Sequence, residues 1–448
     1  MTTTDQLWQI YASQLKQLVT SGQLATTGQV LSLAGTTLVV DLANSNSNVI
    51  NDIVYQIGNT IPAWSSTYSN NSSSLLDSYT VFLDSIDLKG DPNPNLDSQI
   101  NLAAAALTNA QKNFTQVQNE AFTAYSNYKA TLGSDITFPQ FVQAQYPTYI
   151  SAKSALSAAV SQYQGLQIQK YGEGYQLIAT ARNAVGPTGG ASDITMQTPY
   201  NMTVATGATA PSGSGNSVLP GQTPSSPSSS LVSSFAPAFT LTGFTTKYQE
   251  WQTASVYKRI AGTITVTENS QASQWSEFGW GTSANARFGS FFSVMASGQA
   301  SGQAQNYDWQ HEDFSFSVSF TGLGTFLISP GQWFSSGIIK TYHNQLRANS
   351  PDFFGEGGSL SLLPQSVIVG FEPQIKLTLS QADYQSAKSS FQASATASIG
   401  VGPFQFGSAT FSTNGSKSNI SYDDNSNSIT MGGNSTLPIL LGVISNKL

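Results

Sequence analysis

Residues Gly186 to Ala236 read GPTGGASDITMQTPYNMTVATGATAPSGSGNSVLPGQTPSSPSSSLVSSFA, with one charged side chain, Asp193, among Gly, Pro, Ser and Thr. So little apolar surface cannot offset the entropy lost on ordering it, and the stretch reads as a linker or a long loop. Before it apolar residues recur at three- and four-residue spacing; after it they alternate. The expected fold class is therefore α+β. An N-terminal elongated antiparallel helical bundle with long heptad helices is expected over 1–185, the Pro/Gly/Ser/Thr-rich stretch over 186–236, and a C-terminal antiparallel β-sandwich or barrel-like domain over 237–448.

In the first part, Asp5 can cap a helix whose apolar positions are Leu7 or Trp8, Tyr11, Leu15 and Leu18. The run Gly28 to Ala43, GQVLSLAGTTLVVDLA, carries one charge, Asp41. It reads as a buried core segment, or as a membrane-seeking tongue too short to span a bilayer as one helix. Trp64, Tyr68, Leu75, Tyr79, Phe82 and Ile86 fit a further helix that stops before Gly90. Ile100, Ala103, Leu107, Ala110, Phe114, Val117, Ala121, Ala124 and Tyr128 then step by three and four, a heptad seam from Asp97 to Leu132. A helix of that length reaches roughly 50 Å. A comparable helix is expected from Tyr149 to Val185, weakened by Gly165, Gly172 and Gly174, and the two are expected to form an antiparallel hairpin.

In the last part, Ile260, Gly262, Ile264 and Val266 alternate with Ala and Thr, and Phe314, Phe316, Val318 and Phe320 alternate with Ser and Thr. Each pattern is that of a strand with one buried face. Two stretches differ: FGSFFSVMASGQASGQAQ, Phe288 to Gln305, and SFQASATASIGVGPFQFGSATFS, Ser390 to Ser412, hold small residues at most positions and no charge. The second reads as a hairpin turning at Gly400 to Pro403. Such strands suit a twisted, tightly packed sheet, or a hairpin with one face for lipid and one for a lumen. The membrane-contact candidates are Phe288, Phe292, Val294, Ala395, Ala397, Ile399 and Val401.

In these features, the heptad helices over Asp97 to Val185 and the two uncharged strand segments, the chain resembles pore-forming toxins that carry an elongated helical bundle or an insertable β-hairpin. The resemblance implies storage in a water-soluble form followed by oligomerisation on a membrane. It transfers no role to a particular residue.

Charged residues make up 9% of the chain, where ordinary soluble domains carry about 25%. Such a surface suits chains that pack against one another or work outside the cytoplasm. The net charge of −7, without a Lys/Arg cluster to neutralise a phosphate backbone, argues against nucleic acid as a partner. The absence of cysteine excludes disulfides and thiolate chemistry. The first residues show no signal-peptide pattern, and no run of eighteen apolar residues marks a constitutive transmembrane helix. The expected location is extracellular or released from the cell, with cytoplasmic storage before release as the alternative.

Chemistry-bearing constellations are sparse. His311 lies in YDWQHEDF with Asp308, Glu312 and Asp313, a polar turn or a metal or acid/base group, while His343 has no carboxylate nearby in sequence. DPNPNLD places Asp91, Asn93, Asn95 and Asp97 at alternate positions, and YDDNSN offers Asp423, Asn425 and Asn427. Both lack the Gly and Glu of a full EF-hand loop and read as turns, with a weak Ca²⁺ site as the alternative; no other cofactor is expected. Trp275, Trp280, Trp309 and Trp333 read as core residues or as a sugar-stacking face. GEGGSLS, Gly355 to Ser361, lacks phosphate-loop spacing and reads as a turn. The expected function is non-enzymatic self-association into an oligomer or polymer, with membrane activity. The alternatives are a structural subunit of an extracellular filament, sheath or crystalline assembly, and a carbohydrate-binding module, with a surface glycan as partner, on a helical stalk.

Overall fold

A computed structural model of the protein describes residues 4–20, 24, 28–42, 47–68, 74–90, 92–132, 136–172, 174–186, 194–197, 233–253, 262–267, 270, 272–280, 288, 290–295, 305–306, 314–392, 398–407, 418–433 and 437–448. Helix α1 (Thr4–Thr20) leads to strand β1 (Gln29–Val39), α2 (Ser47–Asn59), β2 (Thr67–Tyr68) and α3 (Leu75–Ser85). Then follow α4 (Pro94–Leu132), α5 (Phe138–Gln145), α6 (Pro147–Tyr171) and α7 (Tyr175–Val185). Strands β3 (Ile194–Gln197) and β4 (Ser233–Ala236) lie at the two ends of the Pro/Gly/Ser/Thr-rich stretch and pair with each other. That stretch thus leaves and returns at one place, as a loop does. Next come β5 (Phe239–Leu241), α8 (Phe244–Thr253), β6 (Gly262–Thr267), β7 (Phe292–Met295), β8 (Gln305–Asn306), β9 (Ser315–Pro330), α9 (Ser336–Tyr342) and β10 (Leu362–Thr378). The chain ends with α10 (Gln381–Gln392), β11 (Ser398–Val401), β12 (Phe404–Gly407), β13 (Ser418–Asp423), β14 (Ser428–Gly433) and β15 (Ile439–Lys447).

The mixed α+β class expected from the two periodicities holds, with helices and strands arranged around one large sheet. Its spine is the antiparallel pair β9–β10, in unbroken register from Ser366 opposite Leu327 to Thr378 opposite Ser315. The other side of β10 is shared: β15 pairs with Leu362 to Gly370, and β14 with Gln374 to Thr378. Between the two lie Glu372, at φ 46, and Pro373, which has no N–H to give to a ladder. The Thr321 hydroxyl donates to the Glu372 carboxylate at 2.9 Å across the spine.

On its far side β15 pairs with β1, so a strand from residues 29–39 is bonded to one at 439–446. This corrects the expected all-helical first part. Within Gly28 to Ala43, Gln29–Val39 forms a strand whose Val30, Leu31, Leu33 and Ala34 are buried. Valine and threonine favour the extended backbone, and the run is buried too widely to show a two-residue period.

The sheet separates two cores. Ile368, Ile439 and Leu441 face one, covered by Trp8, Tyr11 and Leu15 of α1, Tyr79 and Phe82 of α3, Ile178 of α7 and Ile339 of α9. Val367, Val369, Leu440 and Val443 face the other, covered by Ile53 and Ile57 of α2 and by Phe244, Tyr248 and Trp251 of α8. With helices on both faces, Ser366 to Phe371 are buried without a break, as a doubly covered strand requires.

Helices α1, α2, α3 and α7 therefore belong to the sheet's cores and not to a bundle. The long hairpin stands apart with a core of its own: Phe114, Val117 and Ala121 of α4, Phe138, Phe141 and Val142 of α5, and Tyr149, Ala152 and Leu156 of α6. The heptad seam faces inward as its spacing requires. The expected single helix from Tyr149 to Val185 is broken at Gly172, whose φ of 77 only glycine adopts without strain. Asp97 and Lys170 form an ion pair where α4 begins and α6 ends. The helix expected around Trp64 and Tyr68 begins only at Leu75, capped by Ser74, whose Oγ accepts from the Asp77 amide at 3.1 Å.

Phe114→Ala should remove about 3–5 kcal/mol from the hairpin core. Hydrogen exchange should quicken in α4 to α6 while the β9–β10 amides keep their protection. Gly279 has φ 84, and a Cβ there would meet the Gln29 carbonyl oxygen. Gly279→Ala should lower the urea midpoint by the equivalent of about 1–3 kcal/mol, the usual cost of a strained backbone position.

Candidate functional site

The two uncharged segments come together. No charged residue occurs between Arg287 and Asp308, nor between Lys388 and Lys417. From these segments come β7 and β8, and β11 and β12, which form one four-stranded sheet in the order β12-β11-β7-β8. At its centre Phe292, Ser293, Val294 and Met295 lie opposite Val401, Gly400, Ile399 and Ser398. Among the described residues no strand is bonded to the outer side of β8 or of β12.

One end of this sheet is fixed in the protein's larger core. The β11–β12 turn runs through Gly402, whose amide donates to the Phe291 carbonyl. Phe291, Phe292, Val401 and Phe404 are buried there. Phe288 is half-buried and stacks on Trp8 at 4.4 Å and on Trp275 at 5.2 Å. Phe291 meets Trp8 edge-on at 5.3 Å and Phe316 at 5.6 Å, and Phe404 lies 6.0 Å from Phe320. Each such pair adds roughly 0.5–1.5 kcal/mol beyond area burial. The pairing among the described residues extends to Met295, Ser398 and Gly407.

Tyr11 lies under the turn, its ring 6.1 Å from that of Phe404. It is fully buried, and its hydroxyl has no hydrogen-bond partner among the described residues. Burial pushes its pKa far above the usual tyrosine range. An unpaired buried hydroxyl costs about 1–3 kcal/mol, so the docked end of the sheet carries a destabilising group in its own core.

The membrane-contact candidates separate accordingly. Phe292 and Val401 are core residues; small neighbours let this end of the sheet sink into the aromatic cluster. Phe288 joins the same cluster. Val294 and Ile399 are paired with each other. Ala395 and Ala397 lie outside the described residues.

The other candidates do not assemble into a site. Trp280 is buried, its indole N–H donating to the Leu31 carbonyl at 2.7 Å, and Trp333 donates likewise to Ala238 at 2.9 Å. Neither offers a face to a sugar. Trp275 is half-buried and donates to Asp5 at 3.2 Å; Asp5 thus sits in the first turn of α1 and not at its cap. Trp309 and the His311 group lie outside the described residues. Asp91 does too, while the Asn93 side chain accepts from the Leu96 amide at 3.2 Å at the start of α4, and Asn95 is exposed on that helix.

Asp423 accepts from the Asn425 amide at 3.0 Å and the Ser426 hydroxyl at 2.6 Å, the self-satisfied turn expected of this run. Among the described residues no three His, Asp or Glu side chains gather as metal ligands. His343 is exposed, one ring nitrogen 2.8 Å from the Lys340 carbonyl oxygen. Gly355 to Ser361 is a turn, with the Gly358 amide donating to Gly355 and the Ser359 amide to Asp352.

Trp8 and Tyr11 were legible as helix positions facing a core, and nothing local to them names the strands they cover. A further group, Tyr384, Lys388 and Asp424, flanks the second uncharged segment and carried no motif. No protein-family model matches this chain, and neither the curated proteins nor the solved structures give a match.

Burial pushes several other tyrosines up: Tyr55, with Asp77 adding to the effect, Tyr79, and Tyr422 to about 12. Unfolded tyrosines ionise near pH 10, so between about pH 10 and 12 the folded chain holds more protons than the unfolded one. Stability should be full below pH 10 and fall as pH rises through that window, seen as a falling urea midpoint. Tyr11→Phe should be as stable as the parent at pH 8, or more so by about 1–2 kcal/mol, and should show a shallower alkaline decline.

Proposed function

We propose that the protein is a non-enzymatic, self-associating protein that acts at membranes in the manner of pore-forming toxins. Its uncharged strands are docked while it is in water and assemble with copies of itself on lipid. The observation that carries this reading is the pairing of two charge-free segments, about a hundred residues apart in sequence, in one sheet whose outer strands have no bonded neighbour among the described residues. An open edge presents unpaired N–H and C=O groups, and in a bilayer these must be satisfied by other strands. A second copy offers them: the β8 edge of one molecule can meet the β12 edge of the next, and repetition closes a barrel. Small residues without charge suit strands that face lipid on one side and a lumen on the other. No helix of the described residues is long and apolar enough to cross a membrane, and this reading gives lipid contact to the strands.

A second reading uses the same edges. Because β8 and β12 are different strands, their contact is heterologous, and such contacts propagate into filaments or arrays if they do not close. That would make the chain a structural subunit outside the cell. The carbohydrate-binding alternative gains nothing from Trp280 and Trp333, which are turned inward. Either favoured reading suits a protein released from the cell.

The purified protein should release dye from phospholipid vesicles, and electron micrographs should show rings on them. Fibres formed without lipid and intact vesicles would favour the structural subunit, and dispersed monomers under both conditions would overturn both. Gln405→Lys places a charge on the β12 edge and should cut dye release at least tenfold while leaving the urea midpoint within about 0.5 kcal/mol of the parent.

A further inference from the structure

We propose that the contact between α10 and the β13–β14 turn is an autoinhibitory latch that keeps the second uncharged segment docked, and that opening it is the step that frees the segment. The inference rests on the membrane reading above. Lys388 donates to the Asp424 carboxylate at 2.6 Å, and the Tyr384 hydroxyl donates to the same oxygen at 2.7 Å. The Lys388 ammonium also lies over the rings of Tyr384, at 5.6 Å, and Tyr422, at 5.8 Å.

The position of this group gives it the role. Lys388 is the last charge before the uncharged segment, and Asp424 lies just beyond the strand that follows it. The two residues stand 36 positions apart, and their contact ties α10, which precedes β11, to the turn of the β13–β14 hairpin, which follows β12. Helix α10 is held at its start by Ser380, whose hydroxyl donates to Asp383 at 2.7 Å and accepts from the Asp383 amide at 3.3 Å. Its far end is held by the latch, and the helix lies against β7, the partner of β11. Once the latch opens, α10 loses its tie to the β13–β14 hairpin, and the segment retains the β11–β7 pairing and the aromatic anchors at its turn.

The latch is also accessible. The Asp424 side chain is 63% exposed, whereas Tyr384 and Ala387 of α10 are wholly buried. A cationic group at a surface, or salt, can therefore compete for Asp424 without unfolding the core. The hydrogen bonds from Lys388 and Tyr384 hold its carboxyl below the usual carboxylate range, so the pair stays charged at neutral pH. An ion pair of this exposure with its ring contacts shifts an equilibrium by roughly five- to thirtyfold, enough to set a rate without locking the protein.

The test is hydrogen exchange of the Ser398 to Gly407 amides in the full chain, alongside the urea midpoint and dye release from phosphatidylcholine vesicles containing phosphatidylserine. Asp424→Asn keeps the shape and a hydrogen-bond acceptor and removes the charge. It should quicken exchange at Ser398 to Gly407 by about five- to thirtyfold with β9–β10 unchanged, and shorten the lag before dye release. The charge swap, Lys388→Asp with Asp424→Lys, should restore slow exchange. Lys388→Gln should repeat the Asp424→Asn result if that variant does not fold.

Unchanged exchange in the segment, equal acceleration throughout the protein, or failure of the swap to restore protection would overturn the latch. If exchange quickens and is rescued but neither parent nor variant releases dye, the latch stands and the membrane reading falls.

Discussion

The antiparallel pairing of β9 with β10 holds both cores in place, since every covering layer is built on a face or an edge of that pair. Its register runs without a slip, and it has to: a shift by one residue would turn Val367, Val369 and Phe371 from one core into the other. Beside it, β15 and β14 divide the far edge of β10 at Glu372 and Pro373, so the sheet branches where one residue has φ above zero and the next cannot donate. Placing β1 beside β15 then ties the start of the chain to its end and sets α1 over the inner core, where Trp8 and Tyr11 receive the four-stranded sheet.

A chain with so few charges must keep its helices soluble by other means. On the exposed faces Ser and Thr hydroxyls donate to the carbonyl four residues back: Thr108 to Ala104, Thr123 to Asn119, Ser126 to Phe122 and Ser161 to Ser157, all near 3.0 Å. These bonds satisfy the side chain within its own helix and leave a surface that is polar yet nearly neutral. Such a surface meets another neutral surface without charge repulsion. That property belongs to the whole chain, so by itself it does not mark out a site.

Local periodicity made the α4–α6 hairpin legible, because its core is built from residues within one short span: Ile100, Ala103, Phe114, Val117 and Ala121 all turn inward as their spacing requires. It failed at Gly28 to Ala43, which is buried on both faces and shows no period, and whose partner strand lies at the other end of the chain. The strand patterns around Ile264 and Phe316 were legible for their alternation. Which strand they joined was not, since register is a property of two segments. The candidate sheet followed the same rule. Both uncharged segments stood out in the sequence, the second as a hairpin; that they pair with each other, with Phe292 and Val401 drawn into the core, depends on α1 and β9 being where they are.

The four-stranded sheet is anchored unequally, and its energetics follow from that. At the turn end, several aromatic contacts and the Gly402 amide hold it; the described pairing runs from there to Met295 and Ser398. Burial of Phe291, Phe292 and Phe404 favours docking, and the unpaired Tyr11 hydroxyl beneath the same turn opposes it. Under the proposed membrane reading, two opposing terms at one end and an exposed ion pair at the root of the second segment are what set how firmly the segment is docked. A modest surplus is what a segment needs if it is to stay folded against its own chain in water and still exchange that surface for another.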